Sequence, residues 1–237
     1  MTLAVLVSQL PQYRSSGSNR PKETSMTRKF LVSGGVAMLI ASVAAILWLG
    51  TGPDPSEFAY LTAPRLTHLQ PQRMLVVEAT GDPNVVSGGA IKLLFATYFK
   101  ANGVSRMQAP PAPRARWPRS VETPGIEWVG RYALPVGDQV TTVPAVSTPS
   151  DVRVSLETWE YGEVAEVVHI GPYNTEENDI TRLQTFVTRL GFRVIGDHEE
   201  EYVRGPGVIL AGDPQKYITI IRLRIAPLQQ DEDVDEG

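Results

Sequence analysis

The chain has 237 residues, a formal charge of −4 and no cysteine. These values exclude a disulfide framework, a cysteine-based metal centre and a thiol redox site, and the mild acidity argues against a nucleic-acid-binding face. The three histidines, His68, His169 and His198, are far apart and lack metal-ligand spacing, so neither a metal nor a cofactor is expected.

Residues 1–29 are polar and rich in serine, proline and basic side chains, and are expected to form a disordered cytoplasmic N-terminus. Met26, followed by Thr27, Arg28, Lys29 and an apolar run, reads as an alternative start. Phe30 to Leu49 carries no charge. At about 1.5 Å rise per residue, about 20 residues cover a hydrocarbon core of about 30 Å. Residues 30–50 are therefore expected to be a transmembrane helix, with residues 30–49 as the membrane contact. Arg20, Lys22, Arg28 and Lys29 precede this stretch, while Asp54 and Glu57 follow it. The positive-inside rule then keeps the N-terminus cytoplasmic and places the rest outside a single-pass cytoplasmic (inner) membrane anchor. A cleaved signal peptide is the competing reading; no small-x-small site follows Trp48, which favours the anchor. Residues 51–57 read as a linker broken by Gly52, Pro53 and Pro55.

The globular part is expected over 58–227, in halves 58–140 and 151–227. Phe58–Leu69 reads as a strand broken at Pro64, Arg73–Thr80 as a strand, and Gly81-Asp82-Pro83 as a turn. Ile91, Leu94, Phe95 and Tyr98 fall at i, i+3, i+4 and i+7 and predict a helix from about Asn84 to Asn102, stopped by Gly103. Met107–Pro124, dense in Pro, Arg and Ala, reads as an irregular loop or an edge strand. Ile126–Val136 is the strand that closes the first half, and Thr141–Ser150 is a linker.

In the second half, Asp151–Trp159 and Glu163–Ile170 predict a hairpin around Tyr161-Gly162. Val164–Ile170 is β-branched and mostly apolar on both sides, as an interior strand is. Ile180, Leu183, Val187 and Leu190 make a helical stripe, with Asn174 and Glu177 as a capping box and Gly191 as the stop. Phe192–Val203 and Tyr217–Ile225 are strands. The last alternates Tyr217, Thr219, Ile221, Leu223 and Ile225 against Ile218, Ile220, Arg222 and Arg224. Residues 228–237 are an acidic tail, expected to be disordered. Gly81 corresponds to Gly171 and Gly103 to Gly191, at an offset of roughly ninety residues, which predicts a duplicated module and not a solenoid.

His169-Ile170-Gly171-Pro172-Tyr173, the helix to Leu190, Gly191, and then Glu201-Tyr202 carry a resemblance. Over roughly 58–227 the chain resembles the GyrI-like small-molecule-binding domains. These form the effector-binding halves of some AraC-type and MerR-type regulators and share a fold with the haem-binding SOUL proteins. The resemblance implies an α+β fold of duplicated β-α-β-β modules with pseudo-two-fold symmetry. Antiparallel sheets would form a concave groove, with the helices outside. It also implies that aromatic side chains from both halves line the groove: by position Tyr173 and Tyr202, with Trp128 and Tyr132 alternating onto one face of the strand that closes the first half. Relatives that bind lipophilic cations place a buried carboxylate in the groove, typically in the last strand. Lys216–Ile225 has no acid but has Arg222 and Arg224. Either arginine in the groove would favour an anionic or neutral ligand, whereas on a solvent-facing strand surface neither bears on the ligand. Glu200, Glu201 and Glu127 are the remaining candidate carboxylates.

The expected function is a membrane-anchored, extracytoplasmic module that binds a small amphipathic or aromatic molecule. No helix-turn-helix or basic face precedes the domain, so nucleic acid is not an expected partner. Two other classes stay open. One is a ring-opening or ester-type hydrolase in which Glu200 or Glu201 with Tyr173 activates a water, although no nucleophile elbow, metal motif or phosphate loop is present. The other is a protein-interaction adaptor at the membrane, using the Pro/Arg-rich loop and the acidic tail. Haem binding would call on His169.

Overall fold

The computed structural model describes residues 52–106, 108–117, 127–206 and 212–228. The expected membrane helix, the stretch before it and the tail from 229 lie outside these residues, as do 107 and 118–124 of the Pro/Arg-rich loop and residues 125–126 after it. Among the described residues no helix is long and apolar enough to cross a membrane.

Eight strands form one antiparallel sheet: β1 (Arg65–Leu69), β2 (Gln72–Thr80), β3 (Arg114–Trp117), β4 (Val129–Pro135), β5 (Val152–Trp159), β6 (Gly162–Ile170), β7 (Phe192–Arg204) and β8 (Ile218–Pro227). Two α-helices, α1 (Pro83–Tyr98) and α2 (Glu177–Arg189), pack on it. The α+β class is as expected, with one sheet where the resemblance implied more than one. Its order is β1-β6-β8-β7-β3-β4-β2-β5. Exchanging each strand of the first half with its counterpart in the second reverses this order and leaves the pairings unchanged. The duplication is therefore visible in the topology itself. It recurs in the turns: Gly81 (φ +139°) and Gly171 (φ +144°) occupy a region that L side chains avoid. The Gly81 N–H donates to Trp128 O and the Gly171 N–H to Tyr217 O.

The order corrects three expectations. β5 and β6 do not form a hairpin: β5 pairs with β2 and β6 with β1. The Tyr161-Gly162 turn is real, with Gly162 at φ +72°, but it carries the chain from one edge region of the sheet to the other. The first strand of each module is thus given to the other. Second, the strand within the proline-rich stretch is not an edge: β3 pairs with both β4 and β7 at the sheet centre. Pro110, Pro111 and Pro113 lie before it, where no ladder N–H is required. Third, Phe58–Leu69 is not one broken strand. Pro55–Leu61 is a 3-10 helix capped by the Asp54 and Glu57 side chains, and β1 begins only at Arg65.

The exchange forces the sheet to curl. β1 and β2 are six positions apart in the order, about 29 Å in a flat sheet at about 4.8 Å per strand. Gln70 and Pro71 alone join them, a reach of about 11 Å. Glu160 and Tyr161 make the equivalent link between β5 and β6. Both links lie at the seam, where Met74, Val76, Ala133, Trp159, Tyr161 and Val164 form one apolar cluster across the halves. Leu61, Val168, Ile218 and Ile220 form a second inward cluster, against which Phe58 and Val203 pack.

With these apolar clusters, the inner face holds charge. Arg222 bonds Glu166 (3.0 Å), Glu199 (3.3 Å) and Glu201 (2.5 Å). Glu166 also accepts from Arg65, Glu199 from Arg116 (2.8 Å) and the Tyr161 hydroxyl (3.1 Å), and Glu201 faces Arg114 at 3.2 Å. The Arg116 guanidinium lies 4.0 Å from the Trp159 ring centroid. Burial works against the Arg222 cation, but Glu201, Glu199 and Glu166 outweigh it and raise its pKa. Burial and the Glu199 charge push the Tyr161 hydroxyl up to about 12. Arg222 is thus buried, not solvent-facing.

The outer face carries the helices. Leu75, Val77, Ala79 and Leu134 pack against Ala90 and Leu94 of α1. Ala165, Val167, Ile221 and Leu223 pack against Leu183 and Val187 of α2. Asp82 caps α1, with Pro83 in its first turn. The helix ends at Tyr98, short of Asn102, because Lys100 and Ala101 donate to Thr97 O and Tyr98 O and tighten the chain into an inward turn that buries Ala101. The Asn174–Glu177 capping box does not form: Tyr173–Thr175 is a 3-10 turn closed by the Thr175 N–H on Pro172 O, and α2 starts at Glu177 without a side-chain cap.

Candidate functional site

The two helices flank a strip of outer face where β7 meets β3. Strand alternation brings Trp117 of β3, Tyr132 of β4, His198, Glu200 and Tyr202 of β7, and Thr219 of β8 onto this face. The turn before α2 adds Tyr173 and Glu176, and the entries to β4 and β8 add Trp128 and Tyr217. Trp128 and Tyr217 are counterparts in the two modules.

The aromatic rings form two groups. In one, Trp117 stands 5.9 Å from Trp128 and 5.7 Å edge-on to Tyr132, whose hydroxyl is 2.6 Å from Ser87 Oγ of α1. In the other, Tyr173 lies 5.5 Å from Tyr202 and 5.2 Å from Tyr217. Tyr202 also packs against the α1 core, which joins the groups. Its position is fixed by its hydroxyl, which donates to Glu200 Oε2 at 2.6 Å. Gly205 leaves the room that Tyr173 uses: a Cβ there would stand 2.7 Å from the Tyr173 hydroxyl oxygen.

Two carboxylates lie among these rings. Glu200 is 9% exposed and has His198 Nε2 3.5 Å from its Oε1. Glu176 is 5% exposed. Burial, then the charge of Glu200, pushes the Glu176 pKa up to about 8, with Thr219 beside it moderating the rise and Asp179 adding to it. Burial and the acids also push the Tyr173 and Tyr202 hydroxyls far above the ordinary tyrosine range. The Thr219 hydroxyl hydrogen-bonds the Glu176 carboxyl, and both side chains are buried. Glu176 thus carries a proton at neutral pH.

The sequence-predicted residues divide between the two faces. Tyr173, Tyr202, Trp128, Tyr132 and Glu200 come together on the outer face. Glu201, Arg222 and Arg224 belong to the inner face, with Glu201 and Arg222 paired to each other and Arg224 Nε donating to Tyr161 O at 3.3 Å. Glu127 is exposed. The inner side of the sheet is therefore filled, and the aromatic cluster is on the helix-bearing side. Glu176, Thr219, Tyr217, Trp117 and His198 were not among the predicted ligand residues. One signal could have found Glu176: it follows Tyr173 by three positions, one 3-10 turn, so both side chains emerge on the same side.

His169 supports the site without entering it. Its Nδ1 is 2.8 Å from Asp179 of α2 and its Nε2 3.2 Å from Pro172 O, which ties the Gly-Pro-Tyr turn to the helix. Among the described residues no group of His, Asp or Glu is placed to hold a metal ion. A surface depression lined by Tyr98, Val104, Pro135 and Gln139 shares no residue with the aromatic cluster and has no charged lining.

No protein-family model and no curated protein matches the chain. Its structure is similar to a hydrolase from Listeria innocua at 20% identity and TM-score 0.57, covering 73% of this chain and 96% of the other. It is similar to an uncharacterized conserved protein from Listeria innocua at 23% identity and TM-score 0.57, covering 73% and 97%. It is also similar to EcmrR in a DNA complex, at 13% identity and TM-score 0.50, covering 85% and 71%. At these identities the likeness is one of fold, which does not fix function; it is consistent with the GyrI-like fold that the resemblance implies.

Proposed function

We propose that this domain binds a small amphipathic cation at the aromatic cluster between α1 and α2. The observation that carries the reading is the Glu176–Glu200 pair, two buried carboxylates among tyrosine rings, with Arg222 committed to the opposite face. Carboxylates in a site of low polarity attract positive charge, and ring faces add cation–π attraction. The absence of an acid in β8 does not argue against this, because Glu176 supplies a carboxylate beside Thr219, on the outer face of that strand.

An aromatic cation should bind, and an aromatic sulfonate of the same size should not, as measured by calorimetric titration. A cation displaces the proton that Glu176 holds below about pH 8, so affinity should rise by up to about tenfold per pH unit from 6 to 8 and then level off. Glu200→Gln should weaken binding. Equal binding of the sulfonate, or a cation affinity independent of pH, would sink the reading.

The uncharged run at 30–49 supports a location on the outer side of the cytoplasmic membrane. Full-length protein released from membranes by alkaline carbonate would argue against that anchor.

A second reading, acid–base catalysis, draws on the same proton: a carboxyl that titrates at about 8 can give and take a proton at neutral pH. It requires that Glu176→Gln abolish turnover of an ester or strained-ring substrate.

A further inference from the structure

We infer that the free edge of β5 is a docking edge for a second copy of this chain, whose own β5 pairs with it antiparallel and joins two eight-stranded sheets into one. β5 ends the strand order: one side pairs with β2, and no described strand pairs with the other. A strand edge presents unpaired N–H and C=O groups, and folds blunt such edges with short strands, prolines or bulges. The opposite edge, β1, is blunted in this way. It has five residues, with Pro64 before it and Pro71 after it. Its Arg65 guanidinium lies 4.6 Å from the Tyr60 ring centroid, which brings the Pro55–Leu61 helix against it. β5 has eight residues, Val152–Trp159, with no proline or glycine and an unbroken register against β2.

The side chains of β5 are complementary to themselves. Alternation places Arg153, Ser155 and Glu157 on the inner face, opposite Glu78, Val76 and Met74. Val154 and Leu156 are on the outer face, opposite Val77 and Leu75. A two-fold axis through Ser155 sets Arg153 against Glu157 of the second copy, and Glu157 against its Arg153. It sets Val154 against Leu156 in the same way. Charge then meets opposite charge on one face, and apolar meets apolar on the other. Arg153 is exposed and has no ion-pair or hydrogen-bond partner among the described residues. Glu78 stands opposite it, but Arg131 faces Glu78 at 3.7 Å and also bonds Glu157. The Glu157 side chain is 28% exposed, which leaves it open to a second cation. Edge charges of one sign repel a neighbouring strand; here the signs are opposite and equally spaced about Ser155, so a copy is matched.

The chain has no cysteine, so a single introduced thiol reports the register. In the full-length chain in mild detergent, Ser155→Cys should form a disulfide-linked dimer on oxidation. Paired antiparallel residues have Cα atoms about 4.5–5.5 Å apart, within the disulfide range of about 4.4–6.8 Å. Arg153→Cys and Glu157→Cys should each cross-link at least about tenfold more slowly, because each lies about 13 Å along the strand from its own copy. Adding Arg153→Glu to Ser155→Cys should slow cross-linking by about tenfold, since it sets like charges opposite each other. Arg153→Lys, which keeps the sign, should not. Equal rates at the three positions, no cross-link at Ser155→Cys, or a rate unmoved by Arg153→Glu would each overturn the inference.

Discussion

Arg222→Met should be strongly destabilising, by about 3–5 kcal/mol, the range for removing one partner of a buried ion pair. For a domain of this size that is a fall of about 6–20 °C in melting temperature. The reason is the number of charges that one side chain neutralises. Glu166, Glu199 and Glu201 all bond Arg222, and Glu166 and Glu199 are 3% exposed. Arg65, Arg114 and Arg116 would still pair with these acids, but from the flanks. Arg222→Lys should recover only part of the loss, because an ammonium cannot spread over three carboxylates as a guanidinium does. Adding Glu199→Gln to Arg222→Met should also recover part, by removing one stranded charge. Thermal unfolding followed by circular dichroism reads all three. A melting temperature within about 3 °C of the parent for Arg222→Met, a margin of about 1 kcal/mol, would mean that the network is not stabilising.

Glu176 gives the second large effect, and here pH is the variable. Its pKa is about 8 when folded, against 4.5 as an ordinary glutamate. The folded state therefore holds a proton that the unfolded state releases between these values. The resulting stability is complete below about pH 4.5 and is lost as pH rises through about 8. At about 1.4 kcal/mol per pKa unit, the swing is on the order of a few kcal/mol. Glu176→Gln, which cannot ionise, should lack this component. The variant should gain on the parent steadily from pH 5 to 8.5 and be the more stable protein at the top of that range. Parallel stability curves for parent and variant would show that the Glu176 carboxyl is ionised throughout and that Glu200 does not raise it.

The sequence made α2 and β8 legible, because each is written in a local period. Ile180, Leu183 and Val187 repeat at helical spacing, and Thr219, Ile221 and Leu223 alternate against Ile220 and Arg222. The same alternation put Arg222 on the face opposite Thr219, but it could not say that this face is enclosed. Enclosure depends on the exchange of β1 and β5, and those pairings join residues about a hundred positions or about eighty positions apart with no local trace. Tyr161-Gly162 predicts a hairpin because a hairpin turn and a seam crossing need the same backbone freedom. The site was legible where an aromatic stood in a strand or beside a marked turn, as with Tyr202 and Tyr173. It was not legible at Glu176, where a helix-start acid has an ordinary explanation in the helix dipole. Burial beside a second acid decides otherwise, and Glu200 is twenty-four positions away.

The exchanged first strands also set a schedule for the chain as it is made. Arg65 of β1 finds Glu166 only 101 residues later. At typical synthesis rates of 5–20 residues per second, β1 waits on the order of 5–20 s for its partner strand. During that interval β2, with its run of Met74, Leu75, Val76 and Val77, also lacks β5. A nascent chain of this protein therefore exposes its stickiest strand until the second module emerges, and completion of the first module is an event of the second. Holding that interval safe falls to whatever accompanies the chain during synthesis, a demand that a tandem of self-contained modules would not make.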